Sequence, residues 1–165
     1  MTVSPILPPL PEWAPHEAVW IGFPSDPELW LGDLKPAERE VAAFAEAVHA
    51  GGRGEEVWLV PAHEGAANTA RRLCPFAEVI VERFGDIWLR DTAAVVLGAG
   101  NNRRAQGFEF NGWGGKYDLD GDQDIGERLA ERAGLPFACR SMAPCSHCHL
   151  PVGTGVRARH SMSGG

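Results

Sequence analysis

Ala18-Val-Trp-Ile-Gly-Phe23, rich in β-formers and closed by the turn residues Pro24-Ser-Asp-Pro27, reads as a short buried strand. The period then changes. Between Pro36 and Ala50 the apolar residues Val41, Phe44, Ala45 and Val48 recur at the spacing of one helix face. Pro36 suits a first helical turn. Gly51-Gly52 suits a C-terminal stop, where glycine turns left-handed without steric penalty. Val57-Trp-Leu-Val60 is a second run of strand length. Strand, helix, strand over so short a distance opens an α/β chain.

Outward from that unit the alternation continues. Residues 64–73 are expected to be helical, with Ala66, Ala67, Ala70 and Leu73 along one side. Val79-Ile-Val81, Ala93 to Leu97 and Ala105 to Phe110 read as strands. The last two are joined by Gly98-Ala-Gly-Asn-Asn102, a loop suited to positive φ. Asn111 to Gly115 is a glycine-rich loop. A further helix is expected from Asp124, with Asp124 and Glu127 at capping-box spacing and Gly134 and Pro136 as its stop. On the N-terminal side, Pro5, Pro8, Pro9, Pro11 and Pro15 keep the first segment extended. The order is β-α-β-α-β-β-β-α, which defines an α/β fold class.

Composition divides the chain. Of 165 residues, 1–136 carry all 22 Asp and Glu, whereas 137–165 carry no acid and only Arg140, Arg157 and Arg159. The same tail holds Cys139, Cys145, Cys148, His147, His149 and His160. No helical or strand period is read after Pro136. Residues 1–136 are therefore taken as the folded portion and 137–165 as a tail without packed structure. A net charge of −7 opposes a nucleic-acid partner, whose phosphates demand a basic face. No stretch approaches the ~20 apolar residues of a membrane span, and no leader signature opens the chain, so cytoplasm is the expected compartment.

Four places could carry chemistry. In Gly85-Asp-Ile-Trp-Leu-Arg-Asp91, charged groups are expected at a buried strand end, where they must be paired. One reading pairs Arg90 with Asp91 or Asp86 and leaves Trp88 as core. The other makes Trp88 and Asp91 a wall for a flat cation, the indole face attracting it and the carboxylate accepting its hydrogen bonds. Gly112, Gly114 and Gly115 around Trp113 imply a tight loop that either packs or lines a pocket, without phosphate-cradle spacing. Asp118-Leu-Asp-Gly-Asp-Gln-Asp124 resembles the start of a calcium loop, but its glycine falls too early. A solvated loop leading into the Asp124 cap is the favoured reading. Cys139 and Cys145-Ser-His-Cys148-His149 could hold zinc as a small metal-binding module, although no second half-site follows. Cys74, before Pro75, is expected to be buried and inert.

Three stretches together resemble the N-terminal part of the agmatine deiminases, within the Porphyromonas-type peptidyl-arginine deiminase family. They are Pro11-Glu-Trp-Ala-Pro-His-Glu-Ala-Val-Trp20, Asp86-Ile-Trp-Leu-Arg-Asp91 and Phe110-Asn-Gly-Trp-Gly-Gly-Lys-Tyr117. The resemblance implies a pentein α/β propeller of β-β-α-β modules, here as an incomplete ring. It implies hydrolysis of agmatine to N-carbamoylputrescine and ammonia, a step toward putrescine, or deimination of peptidylarginine in some relatives. A cysteine thiolate would attack the guanidinium carbon, a histidine would protonate ammonia and activate water, and carboxylates would clamp the guanidinium nitrogens. No metal or organic cofactor is implied.

On this match Asp91 is a guanidinium-binding carboxylate, Trp88 packs against substrate and Trp113 shapes the rim, while Asp86 and Arg90 hold the segment. The match is expected to stop at about Phe137. The family's nucleophile and general base belong to later modules, so Cys145, Cys148, His147 and His149 receive no catalytic role. A truncated or frame-shifted deiminase, inactive alone, is the expectation that follows.

Overall fold

The computed structural model describes residues 8–140, and the cysteines and histidines expected in the tail beyond Arg140 lie outside them. Among the described residues two three-stranded sheets form, and neither closes on itself. The first is parallel, in the order β1 (Ala18–Phe23), β2 (Glu56–Pro61), β3 (Glu78–Val79). Its strands are connected by α1 (Leu34–His49) and α2 (Glu64–Leu73), as the alternating periods require. β3 is shorter than Val79–Val81. Its pairing nevertheless runs on, since Ile80 and Glu82 donate to the Leu59 and Pro61 carbonyls at 2.9 and 3.1 Å.

The helix ends follow from local chemistry. The Asp33 carboxylate accepts from the Lys35 N–H at 3.1 Å to start α1, and Ala50 and Gly51, with φ of 49° and 63°, end it. His63 caps α2 by accepting from the Ala66 N–H at 3.2 Å. Of the expected α1 face, Val41, Ala45 and Val48 pack inward while Phe44 is 57% exposed. Ala42 packs in its place, because a face wrapped against both sheet and α2 is displaced around the helix.

Alternation along β1 assigns the two faces of this sheet. Ile21 and Phe23, with Val57 and Leu59 of β2, pack against Ala45 of α1 and Ala66 and Ala70 of α2, with Cys74 among them. Trp20 and Val60 face the opposite way, into a second cluster with Phe84, Leu89, Ile125 and Leu129. Complete burial of Phe23, Leu59, Ile125 and Leu129 contributes about 1.5–3 kcal/mol each.

The second sheet has the order β4 (Val95–Leu97), β5 (Arg104–Phe108), β6 (Phe137–Arg140). β4 and β5 are antiparallel across the expected Gly98–Asn102 loop, and β5 and β6 are parallel. The helix Ile125–Arg132 precedes β6, so a β-β-α-β order is met once. β6 corrects the reading that no period follows Pro136. Four residues are too few to show one, and backbone bonds recruit them to the β5 edge. The Gln106 amide reinforces that pairing by donating to the Ala138 carbonyl at 2.9 Å. The proline-rich start runs along β4, where Pro9 pairs with Leu97. The last helix begins where expected, yet Asp124 makes no side-chain cap. Its stop is Gly134, at φ 64°.

Candidate functional site

Asp86 to Asp91 is not a strand end. After Phe84 the chain bends, and Leu89–Thr92 form a single helical turn, α3. The Trp88 carbonyl accepts from the Asp91 and Thr92 N–H groups at 3.0 and 3.2 Å and from the Thr92 hydroxyl at 3.2 Å. Leu89 and Thr92 are buried, Leu89 within the second apolar cluster. Trp88 and Asp91, also three apart, are exposed on the other side of the turn, Trp88 by 53%.

The core reading of Trp88 is therefore corrected, and so are the ion pairs within the motif. Arg90 pairs with Glu12, whose carboxyl its hydrogen bond and charge hold below the usual range. The Asp86 carboxylate accepts from the Ile87 N–H at 2.7 Å. Asp91 is left without a side-chain hydrogen bond or ion pair among the described residues.

Besides Leu89, three contacts fix this segment to the body. Gly22 of β1 lies against the Ile87 backbone: a Cβ there would stand 2.6 Å from the Ile87 carbonyl oxygen. The expected solvated loop Asp118–Asp124 is exposed at Asp118, Asp120 and Asp124, but Asp122 is only 3% exposed. Its carboxylate accepts from the Gly85 N–H at 2.8 Å and from the Asp86 N–H, and burial pushes its pKa up despite those donors. Glu12 supplies the third contact, through Arg90. Sequence reasoning missed all three. A glycine inside a strand is a recognised sign of close backbone approach and could have flagged Gly22, but no local pattern marks Asp122 or Glu12.

The Asn111–Gly115 loop is a left-handed turn. Gly112, Trp113, Gly114 and Gly115 have φ of 61°, 52°, 80° and 77°, and the Asn111 side chain accepts from the Gly114 N–H at 3.1 Å. Trp113 is the one residue of the four for which that conformation is strained, by roughly 1–2 kcal/mol. Edge-on contacts to the Phe110 and Tyr117 rings, at centroid distances of 4.9 and 5.7 Å, hold the indole, which stays 40% exposed. Trp88 and Asp91 thus share a turn, while Trp113 stands on a separate loop.

A groove between α1 and α2, lined by Asp33, Lys35, Glu38, Arg39 and Arg72, includes none of these residues. Among the described residues no three His, Cys, Asp or Glu side chains group to hold a metal, and no helix is long and apolar enough to cross a membrane. Cys74 is fully buried, as expected, and burial raises its thiol pKa.

Known proteins resemble this arrangement. The agmatine deiminase of Stutzerimonas stutzeri is 31% identical over 127 residues, covering 73% of this chain and 34% of that protein. Among solved structures, a substrate-bound agmatine deiminase of C. jejuni superposes with a TM-score of 0.67 at 19% identity, over 84% of this chain and 40% of that one. The agmatine deiminase of Enterococcus faecalis gives 0.69 at 23% identity, over 81% and 37%. These two likenesses show the fold. The chain spans about a third of the length of the curated relatives it matches. The sequence profile of the Porphyromonas-type peptidyl-arginine deiminases, hydrolases of guanidino C–N bonds, matches residues 9–144 and so runs past the expected limit at Phe137. Over most of its length, therefore, the chain belongs to the Porphyromonas-type peptidyl-arginine deiminase family.

Proposed function

We propose that this chain supplies one wall of the guanidinium site of an agmatine deiminase, the hydrolysis of agmatine to N-carbamoylputrescine and ammonia in putrescine synthesis, and that alone it does not turn substrate over. The observation that carries this reading is the exposed indole of Trp88 beside the uncommitted carboxylate of Asp91 on one turn. A carboxylate accepts two parallel hydrogen bonds from a guanidinium, and an indole face attracts the same flat cation. Arg90, occupied by Glu12, does not compete for Asp91. Asp86 and Arg90 brace the turn, and Trp113, on its own loop, is assigned to the rim on the family match alone.

The deiminase reaction needs a thiolate poised for attack on the guanidinium carbon. Cys74, buried with a raised pKa, does not fit that task. This chain's part is binding and orientation, which lower the barrier by fixing the carbon for attack. A charge-assisted pair of about 1.5–3 kcal/mol and a cation–π contact of about 0.5–1 kcal/mol sum to a dissociation constant near or above ~1 mM.

Calorimetry with agmatine at millimolar concentration tests the binding: weak heat in the wild type, absent in Asp91→Ala, is expected, and no heat in either sinks the reading. A parallel assay on the 165-residue protein should find no ammonia release. Release abolished by Asp91→Ala would overturn the inactivity.

A further inference from the structure

We infer that Asp122 is a positioning residue for the guanidinium wall: its buried carboxylate, gripped by the Gly85 and Asp86 N–H groups, fixes the point from which the chain turns into Trp88 and Asp91. The inference rests on the proposed reading of those two residues.

A continuous set of hydrogen bonds carries the argument. Asp122 accepts from Gly85 at 2.8 Å and from Asp86; the Asp86 carboxylate accepts from the Ile87 N–H at 2.7 Å; the Trp88 carbonyl accepts from the Asp91 N–H at 3.0 Å. Between the last two, the Ile87 carbonyl accepts from the Leu89 N–H at 2.8 Å, so successive peptides from Gly85 to the turn are each held by a hydrogen bond. Among the described residues no cation pairs with Asp122, so its burial is a desolvation penalty offset only by those N–H groups. A residue needed only to fill space would be apolar there, since an apolar side chain meets no such penalty.

The rest of its loop grips the same stretch of backbone. Asp120 pairs with Arg83, and Gly121, at φ 93°, lies so close that a Cβ would stand 2.7 Å from the Arg83 carbonyl oxygen. Arg128 donates to the carbonyls of Arg83 and Gly121. The loop that looked like a poor calcium site is a clasp on the segment leading to Trp88, and Asp122 is its one buried carboxylate.

The test uses the full chain with fluorinated tryptophan, the Trp88 resonance being assigned by Trp88→Phe, and agmatine as the probe. Agmatine should move that resonance, and Asp91→Ala should abolish the response. Asp122→Leu should weaken agmatine binding by about tenfold or more, and Asp122→Asn, which retains an acceptor oxygen, should recover most of it. A purely structural role would instead lower the denaturation midpoint while the folded protein bound agmatine unchanged, which would overturn the inference.

If Asp122→Leu does not fold, amide exchange in Asp122→Ala, which offers no acceptor to the Gly85 and Asp86 N–H groups, decides. Selective acceleration over Ile87–Asp91, with β2 amides unaffected, supports positioning; no acceleration refutes it. Should Asp91→Ala abolish binding while Asp122→Leu and Asp122→Asn bind as the wild type, only this inference falls. Should agmatine leave Trp88 unmoved in the wild type, the guanidinium reading falls and takes the inference with it.

Discussion

Gly22→Ala is the substitution that most directly probes how the candidate wall is mounted. The new methyl group would stand 2.6 Å from the Ile87 carbonyl oxygen and 2.8 Å from the Ile87 Cα, both backbone atoms. Ordinary contact begins at about 3.4 Å, so the better part of an ångström must be found by moving Ile87 or bending β1. Overpacking of this kind costs about 1–3 kcal/mol. Alanine lowers the entropy of the unfolded chain, which returns about 0.4–1 kcal/mol. The net expectation is a loss of about 1–2 kcal/mol in urea denaturation, with an unchanged slope. The displaced backbone immediately precedes Trp88, so agmatine affinity should fall together with stability. A variant as stable as the wild type, or stabilised by the entropy gain alone, would show that the Ile87 backbone does not lie on Gly22, and the account of the mounting would fail.

Leu129→Ala empties a fully buried position where the last helix meets Val60, Phe84 and Leu89, and should cost about 2–5 kcal/mol in the same denaturation assay. A loss under ~1 kcal/mol would mean that the last helix does not pack on the first sheet through this cluster. For Glu12 the folded carboxyl titrates below its ordinary 4.5 because of Arg90, so the pair's contribution is present above that value and is lost as pH falls through the depressed one. The denaturation midpoints of wild type and Glu12→Gln should therefore differ near neutrality and converge in acid. The gap should also shrink with added salt, since both groups are exposed. A gap independent of pH would refute the pairing.

Much of this architecture was legible because its signals are local. α2 falls on residues 64–73 as the alanine spacing implies, and β1 and β2 fall where β-formers cluster between turn residues. Fully buried strands and amphipathic helices declare themselves within a dozen residues. What failed depended on distant partners. β6 exists because β5 offers an edge 32 residues earlier in sequence, at Gln106 opposite Ala138, and nothing inside Phe137–Arg140 announces it. Asp122 looked solvated because three of the four carboxylates in its run are; the fourth is chosen by two N–H groups 37 and 36 residues upstream. In the candidate site the residue types were readable but their setting was not. Trp88 and Asp91 looked like strand residues, and only the turn at Trp88 places them on one exposed side.

Leu89 has a consequence for how recognition would proceed. It lies between Trp88 and Asp91 in the turn, and its side chain belongs to the apolar cluster in which the first sheet meets the last helix. The turn cannot swing outward without pulling that anchor from both. A visiting ligand would thus meet a surface already arranged, as a key meets a cut lock. Little ordering would accompany its arrival, and the encounter would be governed by diffusion, free of any slow rearrangement of the protein.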